Sequence, residues 1–106
     1  MNDAWDPESF RALGHAVIDR LADHLDRTRK GLDPVVAWEE PRKLQARFVL
    51  DPKGGADPLV LLDQFLASSV RQAHPRYVGY QVSAPLPLAA LFDLVASWLN
   101  NGMAAY

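Results

Sequence analysis

The stretch from residue 74 to residue 87 constrains the fold of this chain more than any other. It reads His-Pro-Arg-Tyr-Val-Gly-Tyr-Gln-Val-Ser-Ala-Pro-Leu-Pro. Pro75, Pro85 and Pro87 exclude a continuous helix, because proline lacks an amide donor and clashes with the preceding turn. A solvated linker would carry fewer large apolar groups. We therefore predict an ordered, extended segment that packs against another surface.

The composition indicates a small soluble protein. The chain has 106 residues, enough for one domain, and a net charge of −2, which argues against nucleic acid or an anionic membrane as a partner. Cysteine is absent, so disulfides and thiolate metal sites are excluded. The N-terminus lacks the pattern of a signal peptide, and the longest apolar run, residues 86–91, is too short to cross a membrane. We expect a cytoplasmic location and no metal.

The first helix is the best-defined element of the sequence. Asp6-Pro7-Glu8 is a typical helix start, with an N-cap, a proline at the first position and an acid in the first turn. Apolar residues then recur every three or four positions: Phe10, Leu13, Val17, Leu21 and Leu25. The pattern predicts a helix over 7–30 that ends at Gly31.

The remaining pattern predicts a short helix over 41–48, a second amphipathic helix over 57–72 and a third that begins at Pro87 and ends at Asn101-Gly102. Residues 32–40 are expected to be extended and anchored by Trp38. Trp98 is expected in the core.

These elements give a mainly α fold, in which three principal helices are joined by long extended connectors. We divide it into an N-terminal helical wrap (1–73), an extended segment at the edge of an active site (74–86) and a third helix with its end (87–106). Connectors in helix bundles usually have about 2–8 residues, whereas residues 31–56 contain one short helix at most. The chain is therefore expected to need a partner.

The residues from His74 onward resemble those of a known enzyme family. Three features are similar to those of pyridoxal-phosphate-dependent decarboxylases: the order His74-Pro75-x-Tyr77-x-Gly79-Tyr80, the Ser-Ala-Pro stretch, and the apolar helix ending in Leu-Asn-Asn-Gly-Met. This group includes the aromatic-L-amino-acid, histidine and glutamate decarboxylases. The resemblance extends over nearly the whole chain, but only residues 74–106 carry it at the level of motifs.

The resemblance implies the N-terminal segment of a homodimer with the fold of aspartate aminotransferase (fold type I), whose large α/β domain would begin after Tyr106. This segment would interlock the dimer and form one wall of a site where an L-amino acid loses carbon dioxide. Its partners would be the remainder of the enzyme, a second subunit and the amino-acid substrate. The Schiff-base lysine of the family lies in a Ser-x-His-Lys context. None of the three lysines of this chain does: Lys30, Lys43 and Lys53. The chain alone is therefore expected to be inactive, and pyridoxal phosphate to be bound mainly by residues outside it.

By the same resemblance, Tyr80, Gln81, Val82 and Ser83 border the substrate pocket and the edge of the cofactor. Tyr80 would stack against the substrate, while Gln81 and Ser83 would hydrogen-bond a carboxylate or a phosphate. A structural interpretation stays open, in which the tyrosines pack an interface and Ser83 caps a turn. Gln81 stands where the aromatic decarboxylases have a second aromatic residue, which favours a more polar substrate.

Two further predicted sites each have a second, structural interpretation. His74 belongs to the same edge, but a His-Pro pair before an extended segment is more typical of a structural hydrogen-bonding corner. The positions of Gly102, Met103 and Ala104 match residues that the family directs into the pocket of the neighbouring subunit. A helix C-cap explains the glycine equally well.

The alternative to a decarboxylase segment is a free-standing helical module that dimerises through its apolar stripes without catalysis. Such a module would be colourless and self-sufficient, whereas the decarboxylase segment would accompany a larger, yellow polypeptide. The residues do not say which amino acid is the substrate, or whether the reaction is decarboxylation rather than a related carbon–carbon cleavage.

Overall fold

The computed structural model describes residues 5–47, 57–79 and 83–100. These residues form four α-helices and no strand, and 64% of them are helical, which confirms the predicted mainly α character. The helices are α1 (Pro7–Arg29), α2 (Pro41–Arg47), α3 (Pro58–Ser68) and α4 (Pro87–Leu99).

The start of α1 is fixed by its N-cap, as the sequence predicts. The carboxylate of Asp6 accepts hydrogen bonds from the backbone amide of Ser9 at 3.0 Å and from the Ser9 hydroxyl at 2.6 Å. These bonds hold the pKa of Asp6 below its ordinary value. Asp57 caps α3 in a similar way, by accepting from the amide of Leu59 at 2.9 Å.

The end of α1 is a Schellman motif centred on Gly31. The amide of Leu32 donates to the carbonyl of Arg27 at 3.1 Å, and the amide of Gly31 donates to the carbonyl of Thr28 at 3.0 Å. Gly31 has a φ of 68°, in the left-handed region that side chains with a Cβ disfavour. The predicted terminator is therefore the residue that ends the helix.

Replacing Gly31 by alanine is expected to destabilise the chain by about 1–2 kcal/mol, the usual cost of a left-handed conformation for a residue with a Cβ. The added Cβ would lie 3.7 Å from Nε2 of His74, an ordinary contact, so the cost comes from the backbone. Urea unfolding of the variant checks this value. Gly14→Ala is the control: it lies within α1 with open space around it, and alanine favours the helix there.

The α3 helix ends four residues before the predicted boundary at Gln72. Ser69 is extended, with a φ of −84° and a ψ of 152°. Beyond it, the backbone amide of Arg71 donates to the carbonyl of Val35 at 2.8 Å, and its guanidinium donates to the carbonyl of Pro34 at 2.9 Å. The chain leaves the helix to make these bonds, which tie residues 32–35 to the end of α3.

The α4 helix also ends earlier than predicted. Asn100 adopts a left-handed conformation, with a φ of 46° and a ψ of 44°, and its amide donates to the carbonyl of Ala96 at 3.1 Å. Asparagine tolerates this conformation better than most residues, because its side chain forms local hydrogen bonds. The helix thus stops at Leu99, before the predicted Asn101-Gly102.

The helices pack sparsely. Among the described helices, α1 and α3 form the closely packed pair, and an ion pair between Arg20 and Asp63 at 2.9 Å joins them. The ring of Phe10 on α1 meets the ring of Trp98 on α4, with centroids 4.8 Å apart. This aromatic pair supports α4 from one side only.

No apolar side chain of the described residues is buried. Trp38 is 80% exposed and Trp98 is 64% exposed, so the predictions of an anchor and of a core residue are both wrong. A compact chain of 11.8 kDa would expose about 5,900 Å², whereas this one exposes 9238 Å². The periodicity identifies the apolar faces correctly, but the described residues cover these faces only in part.

Candidate functional site

An extensive apolar surface lies on α4. Every residue of this helix is exposed. At 100° per residue most of its large apolar side chains share one stripe, which we call the α4 face: Leu88, Leu91, Phe92, Val95, Trp98 and Leu99. Asp93 and Ser97 lie on the opposite side. A contiguous apolar stripe of this size is typical of a protein interaction surface.

A second apolar feature is a groove between α1, the residues after α3 and the start of α4. Its volume is about 440 Å³. Its walls comprise the α1 residues Ile18, Leu21, Ala22, His24, Leu25 and Thr28, residues 70–73, and Ala84, Pro85, Pro87, Ala90 and Leu91. This volume falls within the range of small-molecule pockets, which have roughly 300–1,000 Å³.

Two buried polar side chains lie in the wall of this groove. Arg71 is 7% exposed and Thr28 is 2% exposed. The Nε of Arg71 and the Oγ1 of Thr28 are shielded from solvent, and neither has a hydrogen-bond partner. Buried polar atoms without a partner are costly and rare in native proteins. This pair cannot be predicted from the sequence, because arginine and threonine are mostly exposed in proteins.

The charge of Arg71 is not balanced by a bonded carboxylate. Asp33 interacts with it electrostatically, but both oxygens of that carboxylate accept hydrogen bonds from Arg27, each at 2.9 Å. The bonds from Arg27 are the main reason why the pKa of Asp33 lies below its ordinary value. The groove therefore has a positive charge at its wall.

This environment affects the pKa of His24. Burial is the main reason why its pKa lies below 6.5, and the charge of Arg71 lowers it further, while Asp33 acts in the opposite direction. The folded chain thus resists protonation of His24 more strongly than the unfolded chain does.

This shift predicts a pH dependence of stability. The unfolded chain takes up a proton at His24 near its ordinary pKa of about 6.5, whereas the folded chain does so only at lower pH. Stability is therefore expected to fall as the pH drops below about 6.5 towards the folded-state pKa. Urea unfolding at pH 8 and pH 5 tests this: His24→Gln should reduce the difference, and His15→Gln, at an exposed position, should not. Equal pH dependence in the two variants would contradict the assignment.

His74 forms a structural corner, in agreement with one of the two interpretations of its sequence context. Its Nδ1 accepts a hydrogen bond from the backbone amide of Arg76 at 2.9 Å. Its own amide donates to the carbonyl of Arg71 at 3.1 Å, and its carbonyl accepts from the amide of Tyr77 at 3.0 Å. Residues 71–77 thus form consecutive turns rather than the extended chain that was predicted from residue 74.

His74 also lies in the wall of an open cavity of about 710 Å³ at the end of α1. The charged groups of this cavity are largely paired. Asp33 is bound to Arg27, and the ammonium of Lys30 is 2.8 Å from the carboxylate of Asp26.

The spacing of Tyr77 and Gly79 has a local structural reason. The phenol ring of Tyr77 lies so close to the backbone of Gly79 that a Cβ at that position would collide with it. Only glycine fits beneath the ring in this arrangement. The Tyr-x-Gly part of the motif is therefore a packing unit.

Most of the predicted site residues lie outside the described part of the chain. Tyr80, Gln81 and Val82 are not among the described residues, nor are residues 102–104, which include Gly102, Met103 and Ala104. Ser83 is described, and its side chain is exposed. The predicted pocket edge and the predicted contact with the neighbouring subunit therefore stay predictions.

The described lysines do not fit a covalent attachment site for pyridoxal phosphate. Lys30 is exposed and paired with Asp26, and Lys43 is exposed on α2. A lysine that forms a Schiff base is usually desolvated, which lowers its pKa. Lys53 lies outside the described residues.

Two other kinds of functional element are absent from the described residues. No group of three or more His, Cys, Asp or Glu side chains in these residues could hold a metal ion. Among the helices described, none has both the length and the apolar character needed to cross a membrane.

No protein-family model, curated protein or solved structure matches this chain.

Proposed function

We propose that this chain is the N-terminal, dimer-interlocking segment of a cytoplasmic, pyridoxal-phosphate-dependent amino-acid decarboxylase of fold type I. One structural observation supports it most: the chain forms well-capped helices but buries none of its described apolar side chains. Helices of this kind become stable when another surface covers their apolar faces. The motif resemblance of residues 74–106 suggests what that surface is.

The energetics favour docking over independence. Full burial of one large apolar side chain contributes about 1.5–3 kcal/mol. Phe92 is 65% exposed, and Trp98 and Leu99 are 64% and 57% exposed, so the side chains of the α4 face do not contribute most of this free energy in the chain alone. They would contribute it when docking on a larger body and on a second subunit buries them.

The chain would provide contacts rather than the reactive group. When bound, pyridoxal phosphate supplies the electron sink for loss of carbon dioxide. Residues outside the described part of this chain would hold it. The exposed hydroxyl of Ser83 would donate a hydrogen bond to a carboxylate or phosphate at the edge of the pocket, with Tyr80 and Gln81 beside it.

The test is to isolate the chain from its native source through an affinity tag and to identify what accompanies it. The proposal predicts a larger, yellow polypeptide portion that borohydride bleaches and that releases carbon dioxide from an L-amino acid. A matched pair of substitutions on α4 serves as a control: Phe92→Asp should reduce recovery of this portion, and Ser97→Asp should not. Recovery of a colourless homodimer with nothing bound would favour the free-standing dimerisation module instead.

A further inference from the structure

We propose that the groove between α1, residues 70–73 and the start of α4 binds a small carboxylate with an apolar body. This inference does not depend on the decarboxylase proposal. The groove has a volume of about 440 Å³, and its walls are apolar except for the polar groups of His24, Thr28, Arg71 and Gln72. Apolar walls with a few convergent polar groups are the common composition of small-molecule sites.

The anionic end of the ligand is argued from Arg71. Its guanidinium makes one hydrogen bond, from Nη1 to the carbonyl of Pro34, and forms no ion pair with any described residue. A guanidinium has five donors, and its geometry matches the two oxygens of a carboxylate. A buried charge without a counter-charge is strongly unfavourable, so an anion in the groove would stabilise the fold.

The surrounding charges leave Arg71 available to an anion. Asp33 interacts with Arg71 electrostatically, but both oxygens of its carboxylate accept hydrogen bonds from Arg27. Burial and the charge of Arg71 lower the pKa of His24, another residue of the same wall, which places the positive charge of Arg71 next to the groove.

A slender small molecule fits better than a side chain of another protein. Arg71 is 7% exposed, so only a small area of it can be reached from the groove. An aspartate or glutamate on a folded partner carries a bulky backbone behind a short side chain, which hinders its approach to so small an area. An alkyl carboxylate would instead place its chain along Leu21, Leu25 and Leu91 and its head group at Arg71.

Octanoate and 1-octanol are suitable probes, since they differ only in the charged head group. Binding to the complete 106-residue chain is measured by isothermal titration calorimetry, together with the shift in melting temperature that each ligand causes. We expect octanoate to bind at least tenfold more tightly than octanol. This comparison uses the unsubstituted chain and so does not depend on any variant folding correctly.

Two variants locate the site. Arg71→Met should remove the preference for octanoate. Arg76→Met, at an exposed arginine outside the groove, should leave both affinities unchanged. Equal affinities for octanoate and octanol would overturn the proposal, as would an unchanged preference in Arg71→Met. Absence of octanoate binding would also overturn it.

Discussion

Replacing Phe92 and Val95 together by aspartate is expected to abolish association of the chain with the polypeptides that cover it. Both residues lie on the α4 face and are exposed in this structure, at 65% and 49%. An apolar residue at the centre of an interface typically contributes about 2 kcal/mol or more to binding. Two such losses, with charges added in a desolvated environment, correspond to a decrease in affinity on the order of hundredfold or more. Sedimentation velocity over a range of concentrations measures it.

The matched control for this experiment is Ser97→Asp. It adds the same charge to the same helix, but on the side opposite the α4 face, so association should persist. Helix α1 should form in all variants, because its caps and its ion pair with α3 do not involve α4. Equal association of the double variant and the unsubstituted chain would mean that the α4 face remains open to solvent.

Truncation of Phe92 to alanine is expected to destabilise two states of the protein to different extents. In the dilute, unassociated chain it should cost less than about 1 kcal/mol of unfolding free energy, because the side chain is mostly exposed. A phenylalanine in a packed core typically costs about 3–5 kcal/mol when truncated. In the assembled state, where the α4 face is covered, the cost should approach that range.

Urea unfolding of the variant at low and high protein concentration separates the two states. A core-sized loss of stability already present in the dilute chain would show that Phe92 is buried by the chain itself. That result would contradict the exposed position of the side chain and the need for a partner.

Much of the fold can be predicted from local sequence signals. The N-caps Asp6 and Asp57 and the terminator Gly31 act through bonds to residues two to four positions away, so they are visible in the sequence. The end of α3 is not visible in this way. It depends on the bonds of Arg71 to Val35 and Pro34, and the latter is 37 residues distant.

The candidate sites could be predicted less well. The apolar periodicity indicates which faces of the helices need to be covered, but it does not indicate by what. The core assignment of Trp98 failed for this reason: the face was identified correctly, and the covering surface was assumed to be within the chain. The burial of Arg71 arises from the meeting of three segments, and no local pattern signals it.

The motif in residues 74–79 does not by itself determine what its residues do. The sequence identified His74 as either a ligand-facing residue or a structural corner, and its hydrogen bonds to the turn support the second interpretation. The glycine of the Tyr-x-Gly unit is explained by the ring of Tyr77 above it. The role of Tyr80, Gln81 and Ser83 in a decarboxylase pocket stays a prediction.

The central claim is that the apolar faces of these helices are covered by another polypeptide. Thermal unfolding at several protein concentrations, combined with sedimentation equilibrium on the same samples, tests it most directly. We predict that the isolated chain either associates, with a melting temperature that rises with concentration, or unfolds without a sharp transition when dilute. A compact monomer that melts cooperatively at a temperature independent of concentration would contradict the claim.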